Sequence, residues 1–358
     1  MRIPEKLTAR CFPYRLDFKQ PAGTSRGVLT SKISWMLVLE DENGVQGLGE
    51  CGPLAGLSFD DRPDFGTRLQ RLCEQFNQAE WATFEETLLF YPAMRFGFEM
   101  ALQDYVQGGK RLLFESDFSL QGAPQAINGL IWMGSADFMK EQIAEKLERG
   151  FRCLKLKVGA IDFDAELAIL KALRSEFSAQ DLELRVDANG AFSPTDALRK
   201  LQQLASFDLH SIEQPIKAGQ VAAMAQLCAE SPLPIALDEE LIGLTMAEEL
   251  EDLLDQVRPP YIILKPTLLG GFEASEQWIA AAEVQGIHWW VTSALESNVG
   301  LNAIAQWTAT LGNDLPQGLG TGQLYTNNFP SPLHIQGGSL QYLPEEHAWN
   351  LTGFKDNL

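Results

Sequence analysis

The chain has 358 residues, 45% of them hydrophobic, with 28 Lys and Arg against 48 Asp and Glu, for a net charge of −20. That balance, with no cluster of basic residues, argues against a nucleic-acid partner and fits a soluble cytoplasmic enzyme. Five scattered cysteines with no CxxC pair suggest neither a zinc site nor a disulfide framework; the N-terminus MRIPEKLTAR has no apolar signal core, and no apolar run reaches the roughly 18 residues of a membrane span.

Residues 1–60 read as β structure. The stretch 27–39 (GVLTSKISWMLVL) is rich in β-formers, and Asp41-Glu42-Asn43-Gly44 is a hairpin turn signal before a strand over 45–50. Two glycine-bearing loops, 20–27 and 51–59, flank this region. Residues 61–108 read as helical, with Phe96, Met100, Ala101 and Leu102 on one apolar face and Gly108-Gly109 as the stop.

From about residue 127 the pattern becomes strand alternating with helix. The first candidate strand is 127–133. The helix after the LKLK run carries Phe163, Leu167, Leu170, Leu173 and Phe177 at helical spacing. Ser193-Pro194-Thr195-Asp196 opens the next as a cap, a first-turn proline and an acid. Further helices are expected over 220–230, 245–256, 272–285 and 298–311, with Gly286 and Gly312 as C-terminal caps. The last strands are expected at 289–292 and 318–320. Residues 321–358 hold no further β/α unit and are expected to pack back on the N-terminal part.

Inside this rhythm lies a series of charges. Lys155 and Lys157, then Asp187, Glu213, Asp238 and Lys265, recur at intervals of about 25 to 30 residues, each within a short apolar run. One unit of a (β/α)8 barrel takes about that length, and strand ends converge on one mouth. Alternation along a strand puts Lys155 and Lys157 on one side, with Leu154, Leu156 and Val158 on the other. It likewise sets Lys265 and Ile263 inside, with Ile262 and Leu264 outside. Three carboxylates with no histidine or cysteine beside them suit Mg²⁺, which prefers oxygen ligands. Lys157, nearer the strand end, is the candidate base, and Lys155 the group that tunes it. Glu239 follows Asp238 and faces away, as a supporting group. The structural alternative is a set of salt bridges closing the barrel mouth.

The motifs KLK (155–157), VDANG (186–190), IEQP (212–215), LDE (237–239) and LKP (264–266) resemble the muconate-lactonizing-enzyme subgroup of the enolase superfamily. The resemblance covers the whole chain. It implies an α/β fold: a modified TIM (β/α) barrel over 109–320, an α+β N-terminal capping domain over 1–108, and a C-terminal segment, 321–358, returning to the cap. Within the subgroup, Thr24-Ser25-Arg26-Gly27, the stretch MRFGFEMAL (94–102) and the tail GLGTGQLYTNNFPSPL (318–333) resemble the o-succinylbenzoate synthase family. Dipeptide epimerases of the subgroup carry an Asp-x-Asp after the eighth strand, and here Gly320 and Gly322 stand in the corresponding places.

That resemblance implies Mg²⁺ held by Asp187, Glu213 and Asp238, with Mn²⁺ able to substitute, and a small-molecule carboxylate as substrate. It implies dehydration of a succinyl-bearing cyclohexadiene carboxylate for menaquinone synthesis, with Lys157 as base and then acid and Lys265 as a fixed cation. Ser293, Glu296, Asn298 and Gly320 are candidate substrate contacts. The helix opening at 298 either binds a substrate carboxylate at its N-terminus or is simply capped by Ser297 or Asn298. Arg26 either reaches substrate from its loop or is a solvated charge. Arg185, in phase with Asp187, either orients a ligand or fills the barrel core. The rivals are a racemase or dipeptide epimerase of the same superfamily, in which both lysines work as bases, and a non-catalytic scaffold. Oligomeric state stays open.

Overall fold

The computed structural model describes residues 7–24, 27–159 and 161–355. The chain opens with an antiparallel sheet of β1 (Thr8–Thr24), β2 (Gly27–Glu40) and β3 (Gln46–Cys51). The predicted turn at 41–44 joins β2 to β3: the Asp41 carboxylate accepts the amides of Asn43 and Val45, each at 2.9 Å, and Gly44 takes φ +79°. Of the loop expected at 20–27, residues 20–24 belong to β1 and Gly27 to β2. After a register shift between Asp17 and Ala22, pairing resumes with Ala22 opposite Leu29 and Thr24 opposite Gly27. Arg26 lies outside the described residues.

Three helices cover this sheet: α1 (Phe65–Asn77), α2 (Trp81–Leu88) and α3 (Pro92–Val106). Glycine sets the fit of α3 on β3. A Cβ at Gly49 would run into the Gly97 carbonyl, and one at Gly97 into the Cys51 sulfur. Leu37, Leu39, Leu69, Phe76, Phe84 and Phe98 form a core here, separate from the larger one below.

The larger core surrounds a parallel sheet. After α4 (Asp117–Gln121) and β4 (Gln125–Ala126), seven strands follow in sequence order around the sheet: β5 (Gly129–Ile131), β6 (Cys153–Lys157), β7 (Glu183–Asp187), β8 (Ser211–Glu213), β9 (Ile235–Leu237), β10 (Tyr261–Leu264) and β11 (His288–Val291). The helices between them are α5 (Ala136–Glu148), α6 (Phe163–Glu176), α7 (Pro194–Leu204), α8 (Val221–Glu230), α9 (Ala247–Val257), the short α10 (Pro266–Leu269) and α11 (Phe272–Val284); α12 (Asn298–Thr308) follows β11. Gly286 takes positive φ just after α11, as expected, whereas α12 ends at Thr308 with Ala309 as its cap, and Gly312, also at positive φ, lies in the turn beyond it.

The eighth strand is shorter and earlier than predicted. Residues 317–318 alone close the ring, through parallel bridges of Gln317 to Ile127 and Gly318 to Thr292. The chain then turns into a 3-10 turn at Gly320–Gln323.

Side-chain phase follows the expected rule. Leu154, Leu156, Val158, Ile262 and Leu264 pack outward into the main core, whereas Ile263 joins Ala236 and Trp290 inside the barrel. Arg185 belongs with these last. It is fully buried, its guanidinium lies 4.4 Å over the Trp290 ring, and it donates to Glu183 Oε1 at 2.6 Å and Pro316 O at 2.9 Å. It fills the barrel core.

The tail divides. Residues around 324–329 return to β1, where Lys19 N donates to Leu324 O, Thr326 N to Asp17 O, and Tyr14 stacks against Phe329. Beyond them, β12 (Leu333–Gln336) and β13 (Ser339–Tyr342) form a hairpin that pairs with β4, and α13 (Thr352–Lys355) ends the described chain. No described helix is long and apolar enough to cross a membrane.

Candidate active site

The charged series converges. Asp187, Glu213 and Asp238 end or follow three adjacent strands, and their ligand oxygens lie within 4.8 Å of one another. All three are buried. Lys155 Nζ bonds Glu213 Oε2 and lies 3.0 Å from Asp187 Oδ2. Lys157 Nζ donates to Asp187 Oδ2 and Asn189 Oδ1, both at 2.6 Å. From across the ring, Lys265 Nζ bonds Asp238 Oδ2. Asn189, unmarked in the sequence reading, holds φ +43° while its amide N–H reaches Asp187 Oδ1 at 2.9 Å and its side chain donates to Glu239. Glu239 thus lies behind Asn189, in a supporting place.

Burial and pairing pull these groups apart in acidity. Burial lowers Lys157 below the usual lysine range; the Asp187 carboxylate opposes this, and the Lys155 and Lys265 ammoniums add to it. Burial also works against the charge on Lys155, but three carboxylates outweigh it and hold Lys155 above the ordinary value. Lys265 is likewise raised, burial being overcome by Asp238 and Glu239. Burial pushes Glu213 up to about 8; Lys155 opposes it, and Asp187 and Asp238 reinforce it.

The residues fit a divalent cation. The donors are all oxygen, and Glu213 Oε1 is buried with no hydrogen-bond donor. Burial, reinforced by the neighbouring Asp187 and Asp238 carboxylates, disfavours the charged form of Glu213, and a cation at this point would favour it.

Beside this cluster opens a cavity of about 250 Å³. Lys155, Lys157, Asn189 and Lys265 line its charged side. Val28 and Leu29 of β2, Leu54 to Leu57, Trp132 and Leu295 give it apolar walls, and Asn128, Gly318, Gly320 and Thr321 form the seam where the ring closes.

The substrate contacts expected after β11 fare differently from one another. Ser293 and Gly320 line the cavity; Glu296 and Asn298 do not. Glu296 is fully buried behind the wall, bonding Thr267 Oγ1, Ser293 Oγ at 2.5 Å and Ala294 N at 3.0 Å. Asn298 turns to the tail, accepting nothing from the cavity and donating to Phe329 O at 2.7 Å. Gly320 has room for a Cβ, whose nearest neighbour would be Asn128 O at 3.5 Å, but Gly322 is pressed against Asn298 and Leu301. Gly318 and Thr321 also line the cavity, but a Cβ at Gly318 would run into the Thr292 side chain, so of the expected pair only Gly320 faces open space.

The N-terminus of α12 is already occupied. Glu50, from the end of β3, accepts Ser297 N at 2.9 Å, Ser297 Oγ at 2.6 Å and Gly300 N at 3.0 Å, with Ser34 Oγ at 2.7 Å. Ser297 caps the helix through Val299 N. A substrate carboxylate therefore has no place there, and capping is the correct reading of that helix start. Next to Glu50, buried Lys32 donates to the carbonyls of Ala294 and Leu295 at 3.1 and 3.0 Å, and Tyr325 OH also donates to Leu295 O, at 2.7 Å. Leu295 sits at φ +63°, a costly conformation for a leucine that these three donated bonds hold in place.

Residues 138–346 match the family model described as enolase C-terminal domain-like. The o-succinylbenzoate synthase of Desulfotalea psychrophila is 51% identical over 91% of this chain and 96% of its own length. The crystal structure of MenC from the same organism superposes with a TM-score of 0.81 at 48% identity, covering 94% of this chain and 100% of that one. The L-Ala-D/L-Glu epimerase from Bacillus subtilis, in a substrate-liganded structure, gives the same TM-score at 19% identity over 94% of this chain and 96% of its own, which shows a shared fold. The chain belongs to the enolase superfamily and, within it, to the o-succinylbenzoate synthase family.

Proposed function

We propose that this chain is a cytoplasmic enzyme that dehydrates 2-succinyl-6-hydroxy-2,4-cyclohexadiene-1-carboxylate to o-succinylbenzoate in menaquinone synthesis. The observation that carries the proposal is the 51% identity, over nearly the whole of both chains, to an o-succinylbenzoate synthase. The site supports it. With Lys157 neutral as the base, two ammonium groups against three carboxylates leave one negative charge, so a divalent cation would make the site net positive by one, suited to the ring carboxylate of the substrate.

Asp187, Glu213 and Asp238 hold the cation, Mg²⁺ by its preference for oxygen, with Mn²⁺ able to stand in. When bound, it supplies the charge that makes a carbon acid next to a carboxylate acidic enough to ionise. Lys157 removes the ring proton α to the carboxylate, and Lys155 beside it disfavours a second positive charge. Lys265, across the cavity and paired with Asp238, stays protonated and faces the developing enediolate. The C–O bond then breaks, Lys157 returns its proton to the leaving hydroxyl on the same face, and the ring becomes aromatic as water departs. Neither Gly318 nor Gly320 offers a carboxylate to a dipeptide's ammonium group.

The test is direct: incubate the purified chain with the cyclohexadiene substrate and Mg²⁺ and follow the aromatic product. Absence of product, or dipeptide epimerisation at a comparable rate, refutes the proposal.

A further inference from the structure

One polar side chain in the cavity wall is unaccounted for. Asn128 is 4% exposed, and its Oδ1 is buried without a hydrogen-bond partner. Its backbone N–H donates to Gln317 O at 3.0 Å, and no side-chain hydrogen bond of Asn128 is found among the described residues. Turning the amide over exchanges O for N and leaves the same unpaired end. A buried amide without a partner costs stability, and such a group in a native fold calls for a reason.

The other amide and hydroxyl side chains lining the cavity are already engaged among the described residues. Ser293 Oγ donates to Glu296 and accepts from Thr321 Oγ1 at 2.7 Å and Leu295 N at 3.0 Å, which uses its proton and both lone pairs. Thr321 has spent its proton on Ser293, and Thr292 donates to Gly318 O at 3.1 Å. Asn189 holds Lys157 and Glu239. Ser293, an expected substrate contact, therefore has no proton to give.

We infer that Asn128 is a substrate-binding residue whose amide hydrogen-bonds an oxygen of the acyl side chain. The inference rests on the dehydration reading for the identity of that chain. The ring carboxylate belongs with the lysines and the carboxylate triad. The seam of Asn128, Gly318, Gly320 and Thr321 carries no charge, and Gly320 leaves room beside Asn128. A neutral amide there suits a ketone or carboxylate oxygen without demanding a counter-charge. Leu130 and Trp132 share the inward phase of Asn128 and give the apolar surface along which the chain's methylenes lie.

The experiment is titration calorimetry of o-succinylbenzoate and of benzoate, with Mg²⁺, on the wild-type protein and on Asn128→Leu, alongside thermal melting. Leucine is close in shape and removes the unpaired polar group, so the variant melts no lower than wild type. Its Kd for o-succinylbenzoate rises by about tenfold or more, while that for benzoate, which lacks the side chain, stays within about twofold. Asn128→Asp weakens o-succinylbenzoate further, by adding a like charge. Unchanged o-succinylbenzoate affinity in Asn128→Leu overturns the inference, and so does an equal loss for both ligands or a marked drop in melting temperature, either of which marks a structural residue. A wild type that binds o-succinylbenzoate but does not form it refutes the dehydration reading and leaves the Asn128 comparison legible. A wild type that does not bind it refutes both.

Discussion

Changing Glu50 to Gln tests whether the N-terminal sheet holds the active-site wall. The carboxylate takes four donors: Ser297 N, Ser297 Oγ, Gly300 N and Ser34 Oγ. Glutamine keeps the shape but loses the charge and turns one acceptor into a donor. Its amide nitrogen is best placed at the Oε1 position, where the Ser34 hydroxyl can rotate to accept; at the Oε2 position it would orphan Gly300 N–H. Hydrogen bonds to a charged acceptor are worth about 1 kcal/mol more than neutral ones, so the two backbone bonds lose about 2 kcal/mol. Loss of negative charge at a helix N-terminus adds about 1 kcal/mol. At an unfolding entropy of about 2.1 cal/mol/K per residue, roughly 3 kcal/mol lowers the melting temperature by about 4 °C. Since Ser297 ends the wall that begins at Ser293 and includes the strained Leu295, kcat/KM falls as well, by about tenfold if the wall loosens. The assay is thermal unfolding with and without Mg²⁺, together with steady-state dehydration. A variant that melts within about 1 °C of wild type with full activity refutes the reasoning.

Chelation abolishes dehydration, Mg²⁺ or Mn²⁺ restores it, and Glu213→Gln raises the metal requirement; full activity in chelated protein removes the metal from the mechanism. Lys157→Ala and Lys157→Arg are both inactive, because arginine stays protonated at working pH, whereas Lys265→Arg keeps a cation and outperforms Lys265→Ala. Deuterium exchange into both enantiomers of an N-succinylamino acid, lost on one side only in Lys265→Arg, would show Lys265 acting as a base and favour racemisation. Asp60 supplies a pH test: burial, opposed by the Ala93 N–H, raises its carboxyl to about 7, and Oδ1 is buried without a partner. A raised acid favours the fold at low pH and loses that contribution as pH climbs through its folded value, so the stability gain of Asp60→Asn widens from about pH 4 to about pH 8, and a constant gap in melting temperature contradicts this.

The charged series was legible because strand alternation is local. Lys155, Lys157 and Lys265 needed only a period of two to be placed inside, and the interval between them needed only the length of a β/α unit. What escaped depends on distant partners. Glu50 meets Ser297 across 247 residues, and Lys32 meets Ala294 across 262, so no window of sequence contains either pair. Asn298 and Glu296 lie in the right loop, yet their side chains are claimed by Phe329 O and Thr267. Residues 20–24 read as a loop because glycine and proline punctuate 20–27, while pairing of Ala22 with Leu29 overrides that local signal. Asn128 carries no pattern of its own; only the absence of a partner in the folded chain singles it out.

These two kinds of residue divide the site's labour. The charges proposed to make a carbon acid ionise lie on or just after β6 to β10, in the interior of one parallel sheet. The surfaces that meet the rest of a substrate come from elsewhere: the β1–β2 hairpin, the 54–57 loop, the segment after β11 and the seam at 318–321. These can change while the sheet stays as it is. The sheet sets the class of chemistry, so its motifs identify the superfamily. Choice of substrate rests on which wall groups remain unspent after the protein has satisfied itself, and here the amide of Asn128 is such a group.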